Sequence, residues 1–194
     1  MESQRHDQLT VQNVVSNNPA SARKAMPPDN IPQLHIGTGN LSTGGTLVLG
    51  HVTMGALVSE PGSLKFETLI NATMSHTNDF PTIDPSGLYD RPNFLDLVST
   101  DDGAYLQIHA TGIQQSTLEV ASIINGQSDS ASVPYGAIYS VFVISFRTGS
   151  AKYQNLENSI FVGSETVKAL GNGDFRVGLR VSKLYGTKTN VTLT

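Results

Sequence analysis

Ser99-Thr100-Asp101-Asp102-Gly103-Ala104-Tyr105-Leu106-Gln107-Ile108-His109-Ala110-Thr111-Gly112 is the stretch on which the reading of this 194-residue chain turns. Asp101-Asp102-Gly103 is a turn signal, because Asp bonds its own backbone and Gly takes positive φ without steric cost. The strand that follows alternates. Ala104, Leu106, Ile108 and Ala110 point one way; Tyr105, Gln107, His109 and Thr111 point the other. A strand of this kind has its polar face in water or along a wet cavity, and alternation alone allows both.

Working outward, other segments carry the same short period. Asp174–Leu184 sets Phe175, Val177, Leu179 and Val181 inward and Arg176, Arg180 and Ser182 outward. Ile138–Arg147 is apolar on both sides, so it lies between a core and a second apolar surface such as a subunit interface. Leu64–Met74, Phe94–Thr100 and Ile160–Gly163 read as strands, and the glycine-rich Thr46–Ser59 as one or two bent ones. Thr117–Ile124 fits a strand or a short helix, and Lys152–Asn158 a helical turn. Asn172-Gly173-Asp174 signals a hairpin. Several short strands with turn signals between them predict an all-β sandwich or barrel. Residues 1–33 are polar and read as a leader or a subunit-contacting arm, with an edge strand or helical turn at Val11, Val14 and Val15; residues 34–194 form the single domain.

Composition narrows the function classes. Net charge is −4 with 14% charged residues, and no Lys/Arg stripe exists to neutralise phosphates, so nucleic acid is not an expected partner. The absence of cysteine removes disulfides, thiolate nucleophiles and Cys-held metals, and it fits a reducing, cytoplasmic setting. No apolar run is long enough to span a membrane. Five histidines lack His-x-His or His-x-x-x-His spacing, so no metal is expected. No nucleophile elbow appears, and Lys152-Tyr153 stands without a dinucleotide-binding glycine loop, which leaves the pair a structural role.

Thr100-Asp101-Asp102-Gly103-Ala104, followed by Phe146-Arg147-Thr148-Gly149, Lys152-Tyr153 and Ile160-Phe161-Val162-Gly163, resembles the DUF3237 (UPF0311) family. Asp79-Phe80 is similar to an Asp-Trp block of that family. The resemblance spans roughly residues 35–185. It implies an antiparallel, lipocalin-like up-and-down β-barrel with short helical turns, assembled as a homo-oligomer. Some fungal members act as cofactor-free cyclases on phenols in natural-product pathways. Asn155 and Glu157 depart from the family's Trp and Asn, and Val141 aligns with a usual Arg, which implies a more apolar ligand.

A cofactor-free cyclase needs a proton donor, a proton acceptor and a dry pocket. Asp79, beside Phe80 and Pro81, is the candidate acid, since burial in apolar surroundings raises a carboxyl pKa. The competing reading is a loop Asp that caps a turn. Asp102 or His109 is the candidate base. Tyr105, His76, Phe80, Gln107, Phe142 and Tyr139 are candidate substrate contacts, and His76 with Asp79 is a candidate acid–base pair. The expected activity is hydroalkoxylation, the closure of a polyketide-like aromatic phenol onto an olefin, with no cofactor. The rival reading is a barrel that carries a small apolar molecule without chemistry.

Overall fold

The computed structural model describes residues 8–15, 39–48, 50–59, 69–127, 131–171 and 173–185; at positions 8–15, 39, 51–53, 75 and 76 it describes the backbone only. The protein is mostly antiparallel sheet, as the alternation predicts. The strands are β1 (Gln8–Val15), β2 (Gly39–Asn40), β3 (Thr46–Leu47), β4 (Gly50–Ser59), β5 (Asn71–Asp79), β6 (Thr82–Ile83), β7 (Tyr89–Arg91), β8 (Asn93–Thr100), β9 (Tyr105–Gln115), β10 (Ser132–Val133), β11 (Ser140–Thr148), β12 (Phe161–Gly171) and β13 (Asp174–Lys183). Helix α1 is Leu118–Ile124, and α2 (Gln154–Glu157) follows a 3-10 turn at Ala151–Tyr153.

Backbone pairing runs β9–β11–β12–β13–β1–β4–β5–β8 and returns to β9, so these strands form a ring of hydrogen bonds. The short strands extend two places on that ring: β10 pairs with β12, and β7 pairs with β9 and leads on to β6, β3 and β2. A ring leaves no open edge among its members.

Alternation then assigns each wall residue to one side. Leu106, Ile108 and Ala110 of β9 are buried, as are Phe142, Ile144 and Phe146 of β11 and Phe175, Leu179 and Val181 of β13. Phe94 and Phe142 tilt together with ring centroids 5.9 Å apart, and Phe146 meets Phe161 edge-on at 5.1 Å. Phe142 is paired on one side with Gly112 and on the other with Gly163. A Cβ at Gly112 would lie 2.5 Å from the Val141 carbonyl oxygen and 2.9 Å from the Phe142 ring. Glycine in this strand therefore makes room for a core aromatic. On the outer side of β11, Val141 and Val143 are exposed, as is Tyr139 just before it, so the strand is apolar on both faces as its composition implies.

The helices follow their local signals. Thr117 caps α1 by accepting a hydrogen bond from the Val120 N–H at 3.2 Å, and Val120 and Ile123 bury the inner stripe. Thr117–Ile124 thus resolves as the helix. Tyr153 and Leu156 are buried beneath the 3-10 turn and α2.

Three sequence expectations change. Gln8–Val15, inside the segment read as a leader, is β1, hydrogen-bonded on both sides rather than lying at an edge. Its sequence QLTVQNVV has too few apolar positions to announce an interior strand, and its place comes from the backbone groups offered by β13 and β4. The strand expected over Leu64–Met74 runs instead over Asn71–Asp79, with residues 60–68 outside the described residues. Its polar end looks like a loop in the sequence, but side-chain polarity says nothing of backbone pairing, which β8 supplies across a bulge between Met74 and His76. The strand expected at Ile160–Gly163 continues to Gly171.

Gly112→Ala is expected to cost about 1–3 kcal/mol, the usual price of overpacking a fixed core. The check is a lower urea midpoint at unchanged slope. Thr111→Ala, one position away and exposed, should stay within about 0.5 kcal/mol of wild type.

Candidate active site

The opening turn is built as its sequence states. Gly103 sits at φ +82°. The Thr100 hydroxyl donates to Asp102 Oδ1 at 2.5 Å and accepts from the Ala104 N–H at 2.9 Å. Asn71 Nδ2 donates to Asp101 Oδ2 at 2.5 Å, tying the turn to β5. Lys152 forms an ion pair with Asp102, and the Tyr153 hydroxyl donates to it at 3.2 Å. The Lys152 ammonium, with help from Thr100 and Tyr153, holds the Asp102 carboxyl far below the usual carboxylate range. A carboxylate so committed to ionisation cannot exchange protons near neutrality, so Asp102 is a brace between hairpin and 3-10 turn rather than a base. The two stretches that carry the family resemblance meet in this brace.

At the other end of β8 the chemistry differs. Asp79 is paired with Phe94, whose side chain is in the core, so the carboxyl faces the barrel interior. Burial raises its pKa to about 7; the negative charge of Asp90 adds to this, while the N–H groups of Asn93 and Phe80 oppose it. The Asn93 N–H reaches Asp79 Oδ1 at 3.2 Å. Asp90 of β7 is half-buried, and its pKa is also raised by burial, with the Ser116 hydroxyl working against the shift.

Glu165 of β12 is paired with Leu179 and is 4% exposed. Burial raises it to about 8, and the charges of Asp79 and Asp90 push the same way. Asp96 is buried on the same inner face of β8, opposite the buried Thr77. Gln114 and Ser140 face each other between β9 and β11. Gln114 Nε2, Ser140 Oγ and Glu165 Oε2 are buried with no hydrogen-bond partner among the described residues. Among those residues no cluster of His, Asp and Glu could hold a metal ion.

This set of enclosed carboxyls was only partly found from sequence. Asp79 was singled out; Glu165 and Asp96 were not. A signal existed. Phe161, Glu165, Val167 and Ala169 share one parity, as do Phe94, Asp96 and Val98. A carboxyl on the apolar parity of a strand must be buried or must break the pattern. Glu165 lies beyond Gly163, where the sequence pattern ends the strand, while β12 runs on to Gly171.

The remaining candidates do not join Asp79. Tyr105, Gln107 and His109 lie on the outer face of β9, opposite in parity to the buried Leu106, Ile108 and Ala110. Closure gives the interior to the apolar face, and these polar groups are left outside. Phe142 is a core residue at 0% exposure, whereas Tyr105 and Tyr139 are each 58% exposed. His76 is paired with Leu97, and its side chain falls outside the described residues. It stands three positions from Asp79 on one extended strand. Phe80, Gln107 and His109 do share a place: an open groove of about 500 Å³ on the outer wall, completed by Asn93, Leu95, Ser145 and Arg147. His109 Nε2 lies 3.0 Å from Asn93 Oδ1 there.

Fold and site together define an antiparallel β-barrel protein with protonatable carboxyl groups enclosed at one end. The chain belongs to the DUF3237 family, described as a protein of unknown function, which matches residues 25–184. No curated protein matches the chain. It is similar to a conserved protein of unknown function from Rhodopseudomonas palustris, at 18% identity and a TM-score of 0.65, over 94% of this chain and 100% of that one. A protein with unknown function from Clostridium acetobutylicum gives 18% and 0.60 over 92% and 97%. A β-barrel-like protein from Acinetobacter baumannii gives 19% and 0.58 over 93% and 95%. Likeness at this level establishes the shared fold. Among the described residues no helix is long and apolar enough to cross a membrane.

A carboxyl whose folded pKa lies above its unfolded value stabilises the fold below the unfolded value, and that contribution is lost as pH rises through the folded one. For Asp79 and Glu165 the window runs from about pH 4 to about 8. Urea midpoints of the wild type are therefore expected to fall across that range. The Glu165→Gln variant should fall less, and should match or exceed the wild type at pH 8.

Proposed function

We propose that the protein is a cofactor-independent cyclase that closes a flat, apolar phenol onto an olefin by acid–base catalysis. The observation that carries this reading is the convergence of Asp79, Asp90 and Glu165 on one end of an apolar, aromatic-lined interior, with Asp79 titrating at about 7. Carboxyls sharing an enclosure cannot all ionise. Asp90 is less deeply buried than Asp79 and gives up its proton first. Asp79 then remains a neutral acid near physiological pH and transfers its proton to one olefin carbon. The phenol oxygen bonds to the other carbon, and its proton passes to Asp90. Return of that proton to Asp79 restores the site. The unpartnered Gln114 amide and Ser140 hydroxyl supply donors for a substrate carbonyl or hydroxyl. Closure in such a site draws on positioning as well as on proton transfer.

The test uses an ortho-prenyl phenol and its naphthol analogue, with formation of the cyclic ether followed by chromatography. Asp79→Asn is expected to slow closure about 100-fold, within the range general acids contribute. Wild-type activity should decline as pH rises past about 7, where Asp79 ionises. Closure by a folded Asp79→Asn variant at the wild-type rate would remove Asp79 from the mechanism. Saturable naphthol binding with no closure by any form of the protein would favour the carrier reading instead.

A further inference from the structure

The outer-wall groove holds a second site of different chemistry. Two cross-strand rows run along it, and all their members but Leu97 line it. In one, Leu95 of β8, His109 of β9 and Ser145 of β11 stand side by side; in the next, Leu97, Gln107 and Arg147 do. Each row therefore places an exposed leucine across from hydrogen-bonding groups. Leu95 is 44% and Leu97 38% exposed, and Phe80 at 40% closes the groove's apolar end. Such a run of apolar surface on the outside of a barrel stays in water unless something covers it.

The polar end is a fixed arrangement. Asn93 Oδ1 accepts from His109 Nε2, which sets the plane of the imidazole, and the Asn93 N–H is already given to Asp79. Among the described residues Arg147 forms no ion pair, whereas Arg91 and Lys152 do. A guanidinium beside an amide and a hydroxyl presents the planar fork of donors that suits a carboxylate.

We propose that this groove binds a small aromatic carboxylate. The carboxylate would take two hydrogen bonds from Arg147, with Gln107 as a further donor, and the ring would lie along Leu95 toward Phe80. A phosphate or sulfate would use the cation and leave the leucines uncovered. A neutral aromatic would cover the leucines and leave the cation unmatched. The site is separate from the enclosed carboxyls, which lie on the opposite side of the wall.

The probe is naphthoate, followed by its fluorescence, with naphthamide and inorganic phosphate as comparisons. Wild type is expected to bind naphthoate saturably, at least tenfold more tightly than either comparison. Arg147→Ala and Arg147→Gln should each weaken it at least tenfold with far-UV circular dichroism unchanged, and Leu95→Ser several-fold. Glu165→Gln should leave it unaltered. Equal binding of naphthoate by wild type and both Arg147 variants would overturn the site, as would binding lost in Glu165→Gln but kept in Arg147→Ala. Because ring closure by the enclosed carboxyls is read on a neutral phenol, failure of one site leaves the other result intact.

Discussion

Everything in this protein depends on a ladder of backbone hydrogen bonds that comes back to its own start. Each ring strand gives its N–H and C=O groups to two neighbours, and β1 and β11 complete the circuit at places well separated in sequence. Closure converts the period-two alternation of every strand into a choice between inside and outside. One such choice, made once, holds for all the strands. It buries Leu106, Phe142 and Leu179, and it leaves Tyr105, His109 and Arg147 on the outer wall.

The same choice makes the chemistry. Asp79 and Glu165 occupy inward positions that their neighbours fill with Phe, Val and Ala. A carboxyl there loses its hydration and meets other carboxyls, so protonation becomes the cheaper state. The fold tolerates this through neutralisation below the raised pKa values, and among the described residues neither Asp79 nor Glu165 forms an ion pair. At the opposite end the reverse arrangement holds. Asp102 is solvent-exposed, ion-paired with Lys152 and bonded to Thr100, and its charge fastens the hairpin to the 3-10 turn. Two aspartates in one small barrel thus have opposite protonation because one faces in and the other faces a lysine.

The wall between them is thin enough to connect its two sides. Asn93 gives its N–H to Asp79 on the inner side and its side-chain oxygen to His109 on the outer side. One residue orients a carboxyl within and an imidazole without, although the two groups belong to different sites. Sequence reading had grouped Asp79 and His109 as acid and base of a single pocket. Asp79 of β5 lies on the inner side of the wall and His109 of β9 on the outer side, both bonded to Asn93.

The chain's own sequence determined the elements with strong local chemistry. The Asp101-Asp102-Gly103 turn, the alternation of β9 and β13 and the two-sided apolar character of β11 are properties of neighbouring residues, and neighbouring residues display them. It also marked Asp79, because a carboxyl flanked by Phe80 and Pro81 stands out without any fold. What only the tertiary structure decided was which face of the wall became the interior, and that depends on closure by strands far apart in the chain. Closure drew in the weakly patterned β1, carried β5 through its polar end to Asp79, and gathered Asp90 and Glu165 from distant segments. A shared pKa environment is a fact of distance in space, and no spacing along the chain encodes it.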